Sequence, residues 1–248
     1  MTDSLALATW NIWFGELAWR QRLDALLHEV WLAAPDVIGL QEVTHSALEE
    51  LLATSWLTER YALSDTTGET IDGYGVLLAV RRPLLVGRFA WLDLPTGFGR
   101  RLVSAPIEVG RTRLRIGTVH LESMRPNASL REEQLNLILP HLAAESPALL
   151  MGDFNFDPSM DEERLLTAPW RDLWAECRPE DPGLTRDSTI NRMVALHQGE
   201  DKHRRIDRII GCGALTTDTI QLLGTGHLNN DPDLFPSDHF GLLARVSL

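Results

Sequence analysis

Apolar runs of strand length alternate with segments of helical periodicity along this chain, and this alternation limits the folds that it can adopt. We predict a strand from Leu5 to Trp13, a helix from Glu16 to Ala34 and a strand from Asp36 to Val43. In the helix, apolar residues spaced three and four apart form one face. Pro35 ends it, and a second helical stripe follows at residues 48–52.

The remainder of the chain is richer in strands. Four strands are predicted between Tyr74 and Leu121, and a helix from Ser129 to Ala144 begins with a capping-box pair, Ser129 and Glu132. Further segments are strands at 148–151, 205–210, 219–223 and 240–246, a short helix at 161–167, and an irregular region from there to about residue 198. This order predicts one α/β domain over residues 1–248, with layered sheets and helices outside.

The composition limits the cellular environments in which we expect the protein. No apolar run approaches the ~20 residues needed to cross a bilayer, so we expect a soluble protein without membrane contact. We also expect a monomer. Two cysteines, Cys177 and Cys212, are too few for a disulfide framework or a thiolate zinc site. The N-terminal segment also lacks a basic stretch followed by an apolar one, so a cytoplasmic, reducing location is expected.

The charge is strongly acidic. The chain has 23 Lys and Arg residues against 35 Asp and Glu residues, a formal net charge of −12. A protein that coats nucleic acid or an anionic membrane needs a broad basic surface. We therefore expect no extended duplex binding.

Polar residues follow the apolar strand runs repeatedly. Asn11, Glu42 and His120 each follow the apolar run of a predicted strand, and Asp153 and Asn155 follow another. Each residue alone is well explained as a turn or helix-cap residue. Because ligands of α/β sheets bind at the carboxyl ends of strands, the repetition instead predicts one shared site.

The segment from Gly152 to Asn155 adds geometry to this prediction. If it is extended, Asp153 and Asn155 project to the same side, and Gly152 lets the backbone approach a neighbour closely. A carboxylate can bind a hard cation or orient a water, and an amide can donate to an oxyanion. The alternative is an ordinary Asx turn.

Near the C-terminus, Asp207 lies within an apolar run, where an unpaired carboxylate is costly. His239 is its natural partner and could point its second ring nitrogen at a reacting group. The alternative is a surface turn capped by Asp238.

Several catalytic motifs are missing: a Gly-x-Ser-x-Gly elbow, a P-loop with lysine and a helical His-Glu-x-x-His. The remaining carboxylates, amides and histidines suit a hard divalent ion, a phosphate group and a directed water.

Six ordered motifs resemble the endonuclease/exonuclease/phosphatase superfamily of magnesium-dependent phosphodiesterases. The resemblance implies a four-layered α/β sandwich, in which two mixed or antiparallel sheets pack face to face with helices outside. The motifs are Thr9-Trp10-Asn11, Leu40-Gln41-Glu42, Thr118-Val119-His120, Gly152-Asp153-Phe154-Asn155, Arg205-Ile206-Asp207-Arg208 and Ser237-Asp238-His239.

The resemblance also implies residue roles. Glu42 would be the principal Mg²⁺ ligand, with Mn²⁺ able to substitute, and Asn11 and Asp238 would support the ion or the phosphate. Asp153 would orient and deprotonate the attacking water. Phosphate contacts would come from Asn155, His120 and His239, and Asp207 would orient His239.

Two stretches, 120–123 and 235–242, resemble the 5′-tyrosyl-DNA phosphodiesterase branch more closely. This match makes Ser123 a further phosphate contact, and the segment around Arg204 fits the same branch. Trp10 lies close enough to Asn11 in sequence to line the site. Arg186 departs from the branch, which has at this position a Trp that helps to form a wall for single-stranded DNA.

The function predicted first is hydrolysis of the 5′-phosphotyrosyl-DNA linkage or of another DNA 5′ end. A second hypothesis is the same chemistry on an inositol phosphate, sphingomyelin or a nucleotide. A third is a catalytically silent binding scaffold. An abasic-site endonuclease fits less well, because such enzymes grip duplex DNA with a larger basic surface.

Overall fold

A computed structural model describes residues 3–199 and 202–248 of the chain. Six helices are present in this part, together with short 3-10 turns at Arg82–Leu84, Arg125–Asn127 and Asp161–Leu165. The helices are α1 (Trp19–Ala33), α2 (His45–Ala53), α3 (Ser55–Arg60), α4 (Ala128–Ala143), α5 (Leu173–Cys177) and α6 (Met193–Gln198). None of these helices combines the length and apolar character needed to span a bilayer.

The first sheet has six strands and one parallel pair at its centre. Its strands are β1 (Ser4–Asn11), β2 (Val37–Val43), β3 (Tyr61–Leu63), β4 (Gly75–Arg81), β13 (Thr216–Leu223) and β14 (Gly241–Ser247), in the order β13-β14-β1-β2-β4-β3. β1 and β2 run parallel, joined by α1, and the other neighbours are antiparallel.

The second sheet repeats this plan. Its strands are β5 (Ala90–Asp93), β6 (Arg101–Val109), β7 (Thr112–His120), β8 (Ala148–Asp153), β9 (Trp170–Asp172) and β12 (Asp207–Cys212), in the order β5-β6-β7-β8-β12-β9. β7 and β8 are parallel, joined by α4, within an otherwise antiparallel sheet. A small two-stranded ladder is made by β10 (Arg186–Asp187) and β11 (His203–Arg204).

Three apolar cores hold these layers together. The central core joins the facing surfaces of the two sheets, with Leu7 and Leu78 from one and Ile116 and Met151 from the other. A second core packs the outer face of the first sheet against α1, α2 and α3, and a third packs the second sheet against α4. The predicted four-layered α/β sandwich is confirmed.

Most predicted elements are present, with differences at their ends. All four strands expected between residues 74 and 121 form, as β4 to β7. The capping box predicted at Ser129 is wrong, because α4 already begins at Ala128 after a 3-10 turn. The region predicted as irregular contains α5, α6 and the short strands β9 and β10.

Candidate active site

Asp153 lies where three strands of the second sheet meet. At the end of β8 it pairs in register with His120 of parallel β7 and with Asp207 of antiparallel β12. His120 Nε2 is 3.4 Å from Asp153 Oδ2, and Asp153 is 2% exposed. Asp207 belongs to the amino end of its strand, and it reaches this edge because β12 runs against β8.

Asn11 connects this cluster to the first sheet. At the end of β1, its Nδ2 donates to Asp153 Oδ2 and to Glu42 Oε1, each at 3.0 Å. Its Oδ1 accepts from the backbone N–H of Trp13 at 3.0 Å. One buried amide therefore holds a carboxylate from each sheet, and its own oxygen is engaged by the backbone.

Glu42 reaches the site through an irregularity in β2. The pairing with β4 shifts between Gln41 and Val43, and Glu42 has a left-handed backbone with φ of 62°. This conformation costs a residue with a Cβ about 1–2 kcal/mol. The cost is tolerated where Asn11 donates to Oε1 and the Phe14 backbone N–H donates to Oε2 at 3.0 Å.

The loop that carries Phe14 is organised by Arg22 from α1. This guanidinium is 1% exposed, stacks on Trp13 and donates to backbone carbonyls, including Ile12 O at 3.1 Å and Gly15 O at 2.7 Å. Arg22 therefore fixes the loop whose N–H orients Glu42.

The turn after β8 is not extended as predicted. Asn155 has a left-handed backbone with φ of 56°, and its N–H donates to Asp153 Oδ1 at 2.8 Å. The Asx turn that was the alternative is present, and it fixes the Asp153 carboxylate at the site. The predicted close approach at Gly152 is confirmed, because a Cβ there would overlap the Val119 carbonyl oxygen.

The predicted partnership of Asp207 and His239 is present. His239 Nδ1 lies 2.8 Å from Asp207 Oδ2, and both side chains are buried. Burial opposes protonation of His239, but Asp207 and Asp238 outweigh it and raise the pKa of the imidazole to about 9. At neutral pH His239 therefore carries a proton on each nitrogen, donates to Asp207 and offers Nε2–H to a ligand.

The turn before β14 is tied to β1. Ser237 Oγ donates to the Asn11 carbonyl at 2.6 Å, and Trp10 Nε1 donates to the His239 carbonyl at 2.9 Å. The prediction that Trp10 lines the substrate site is wrong. Its ring is 1% exposed and packs against Gly241 in the second core, between the first sheet and its helices. Trp10 therefore supports His239 from the side that faces away from the site.

His120 is held in the opposite charge state from His239. Burial, followed by the positive charges of Arg100 and His239, lowers the pKa of His120 well below its ordinary value. A guanidinium can only donate, and Arg100 Nη1 lies 3.1 Å from His120 Nδ1. Nδ1 therefore accepts, and the neutral ring presents Nε2–H to the site.

Arg100 is a site residue that the sequence patterns did not reveal. It is 4% exposed, stacks on Tyr74 and donates from Nη2 to Ser123 Oγ at 2.7 Å. Asn155 Nδ2 lies 3.4 Å from the same hydroxyl, so predicted Ser123 and Asn155 are neighbours. The only available signal was an arginine directly before a strand.

The acidity of Asp153 is tuned by its surroundings. Burial and the neighbouring charge of Asp207 raise its pKa, and His239 and Asn11 partly offset this, leaving a value of about 6. Near neutral pH this carboxylate is largely ionised and still basic enough to accept a proton.

The acidic residues fit a hard cation. Asp207 Oδ1 is buried and has no hydrogen-bond partner in the described part of the chain, and burial together with Asp238 raises the pKa of Glu42. Asp153, Asp207 and His239 have candidate ligand atoms within 4.8 Å of one another. Glu42 and Asp238 add two carboxylates nearby, since the charge of Asp238 acts on the pKa of Glu42, so a cation at this edge would have several acidic side chains around it.

The remaining predicted residue, Arg204, lies on β11. Its Nε donates to Asp157 Oδ2 at 2.8 Å, close to the turn that follows Asp153. A direct phosphate contact by Arg204 stays a prediction.

Known proteins share this architecture. TDP2 of D. rerio, solved in complex with a single-strand DNA product, superposes with a TM-score of 0.83 over 99% of both chains at 24% identity. Truncated TDP2 of Caenorhabditis elegans gives 0.82 over 99% of this chain and 98% of its own, at 22% identity. These likenesses confirm the fold.

Sequence relatives point the same way. Tyrosyl-DNA phosphodiesterase 2 of Gallus gallus is 28% identical over 260 residues, which cover 99% of this chain and 68% of that protein. The human protein of the same name is also 28% identical, over 98% of this chain and 68% of its own length. Residues 8–239 match the Endonuclease/Exonuclease/phosphatase family. The chain belongs to this family, as its six motifs indicated.

Proposed function

We propose that this protein is a divalent-cation-dependent phosphodiesterase whose substrate is the 5′-phosphotyrosyl-DNA linkage or another DNA 5′ end. One observation carries the chemistry: Asp153 Oδ2 lies 3.4 Å from His120 Nε2 and 4.0 Å from His239 Nδ1, so a carboxylate that can accept a proton stands between two imidazole rings. The tyrosyl-DNA phosphodiesterase relatives support the choice of substrate.

In this reaction Asp153 accepts the proton of the attacking water. The Asn155 N–H and the Asn11 amide hold its two oxygens, so the carboxylate cannot rotate away from the water. His239 and His120 donate their Nε2 hydrogens to phosphate oxygens, where negative charge grows in the transition state. Asn155 adds a further donor, and Asp207 keeps the His239 ring oriented.

We propose that Glu42 and Asp238 hold Mg²⁺, or Mn²⁺ in its place. A bound ion of this kind stabilises negative charge on the phosphate and on the leaving oxygen. Asn11 orients Glu42 through Nδ2, and its Oδ1, which accepts from the Trp13 N–H, keeps a second lone pair to support the ion or the phosphate. Ser123 and Arg204 remain proposed substrate contacts, joined by Arg100.

The test is hydrolysis of a 5′-phosphotyrosyl oligonucleotide with Mg²⁺, with and without a chelator. Asp153→Asn should abolish most turnover because the amide cannot accept the proton. The matched control is Asp93→Asn, which makes the same change at a side chain that is 85% exposed and should leave turnover unchanged. Full activity in chelator, or in Asp153→Asn, would rule out this mechanism.

A substrate panel separates the alternatives. Abasic duplex, sphingomyelin, an inositol phosphate and bis-p-nitrophenyl phosphate are assayed beside the phosphotyrosyl oligonucleotide. Turnover of only a small or lipid diester would reject the DNA substrate while keeping the chemistry. A silent scaffold would hydrolyse none of them.

We also propose that residues 1–248 form one catalytic domain that acts as a monomer in the cytoplasm. Both cysteines, Cys177 and Cys212, are free, which suits a reducing compartment. Light scattering of the purified protein tests the monomer, since a dimer would double the measured mass.

A further inference from the structure

Arg186 is built rigidly into the wall of the site. It lies on β10, and the preceding residue, Thr185, fixes the neighbouring segments. Thr185 Oγ1 accepts from the N–H of Asp207 at 3.1 Å, and its carbonyl accepts from the N–H of Phe240 at 2.7 Å. The backbone of Arg186 is thus held against the segments that carry Asp207 and His239.

The guanidinium of Arg186 is not satisfied by the protein alone. Nη2 donates to Asp238 Oδ2 at 3.1 Å, while Nε is buried without a hydrogen-bond partner among the described residues. The residue is 9% exposed, so bulk water does not solvate this donor freely. A buried N–H on a charged group is costly unless an acceptor meets it, which indicates that a ligand supplies one.

The position of Asp238 places this donor beside the reacting groups. The other oxygen of Asp238, Oδ1, lies 4.0 Å from His239 Nε2, the nitrogen that faces the proposed phosphate. One carboxylate therefore separates Arg186 from the outward nitrogen of His239. The guanidinium of Arg186 is cationic, so an anionic acceptor fits its unpaired Nε–H best.

The donor geometry of a guanidinium limits which anions can be the ligand. Its rigid fork of N–H donors matches phosphate oxygens. Stacking on a base needs an open guanidinium face, and the side chain of Arg186 is only 10% exposed. Recognition here must therefore use hydrogen bonding to an acceptor rather than stacking.

We propose that Arg186 is a specificity-determining residue that donates its Nε–H to a phosphate oxygen of the DNA 5′ end. This inference rests on the proposed function. With this contact, the site recognises the charge of the terminal phosphate, whereas a stacking side chain would contact the face of a base. Binding should then depend on the 5′-phosphate and on salt, and little on base identity.

The experiment compares two single-stranded oligonucleotides of one sequence, with a 5′-phosphate or a 5′-hydroxyl, by fluorescence anisotropy in chelator. Wild type should prefer the phosphorylated strand. Arg186→Gln should weaken binding of that strand about 10- to 100-fold, the range for a charge-assisted hydrogen bond, and leave the hydroxyl strand unchanged. Arg186→Lys keeps the positive charge but lacks the planar guanidinium donors. Its affinity for the phosphorylated strand should therefore lie between those of wild type and Arg186→Gln.

The control is Arg164→Gln, which removes an arginine whose side chain is 56% exposed and should bind as wild type does. A preserved phosphate preference in Arg186→Gln, or equal losses for both strands, would overturn the proposal. If that variant fails to fold, the Nε–H resonance of Arg186 in wild type decides. It should shift with the phosphorylated strand only, and an identical response to both strands would refute the contact.

Hydrolysis is scored separately with Mg²⁺ on the wild-type protein. Phosphate preference without turnover of any DNA 5′ end would reject the proposed function and keep the role of Arg186. Turnover of a DNA 5′ end together with an unchanged phosphate preference in Arg186→Gln would keep the proposed function and reject the role of Arg186.

Discussion

Raising the pH should weaken the fold of the metal-free protein through one residue, His239. Its pKa rises from an ordinary value of 6.5 to about 9 in the folded state, because the carboxylates of Asp207 and Asp238 outweigh the effect of burial. A group whose pKa is raised on folding stabilises the protein below its unfolded pKa. That stabilisation is lost as the pH rises through the folded value.

The size of the effect follows from the pKa difference. Each pKa unit corresponds to about 1.4 kcal/mol, so His239 contributes about 3 kcal/mol at pH 6 that is almost gone at pH 9. The side chain is 5% exposed, so solvent screening takes little from this figure. This loss is a large part of the ~5–15 kcal/mol that stabilises an ordinary protein.

The assay is urea unfolding in chelator across this pH range. Wild type should lose about 3 kcal/mol of unfolding free energy, and Asp207→Asn should lose less, because one of the two carboxylates that raise the pKa of His239 is gone and Asp238 remains. His239→Gln should be flat. A flat wild type, or a slope that persists in His239→Gln, would refute the assigned protonation state.

Three further predictions concern the site and its support. Glu42→Gln should weaken Mg²⁺ binding at least ~10- to 100-fold by calorimetry, because the amide lacks the anionic charge; unchanged affinity would place the ion elsewhere. The acidic limb of kcat/KM should lie near pH 6, where Asp153 ionises, and Asp153→Asn should remove this limb and lower kcat by ~10²–10⁴. A limb that survives the substitution would identify another base. Gly152→Ala should cost at least ~3 kcal/mol in urea unfolding, because φ is 141° and the new Cβ overlaps Val119 O. A wild-type midpoint would show that β7 and β8 can separate there.

The strand-end residues could be predicted because the relevant information is local. A polar residue that follows an apolar strand needs no tertiary knowledge to be placed at a sheet edge, as with His120 and Asp153. The partnership of Asp207 and His239 was also accessible, since a buried carboxylate in an apolar run demands a partner.

Other features depend on contacts between distant segments and could not be predicted. Arg100 becomes a site residue only because β6 and β7 are neighbours, which brings its guanidinium to His120. The left-handed backbone of Glu42 arises from a pairing irregularity with β4 that no residue pattern announces. Trp10 failed as a substrate contact because neighbouring residues of one strand project to opposite faces of the sheet, so its ring faces away from the side chain of Asn11.

The two sheets each carry half of the chemical groups, and Asn11 joins the halves through one amide. Across the same interface, Gln41 Nε2 donates to Thr118 Oγ1 at 3.0 Å. Groups from both sheets are needed to align a water with a cation, so turnover requires that the two sheets are packed together at the correct spacing. In mild denaturant, turnover should therefore decline before secondary structure is lost. Loss of turnover would then report that the two sheets have separated before either sheet unfolds.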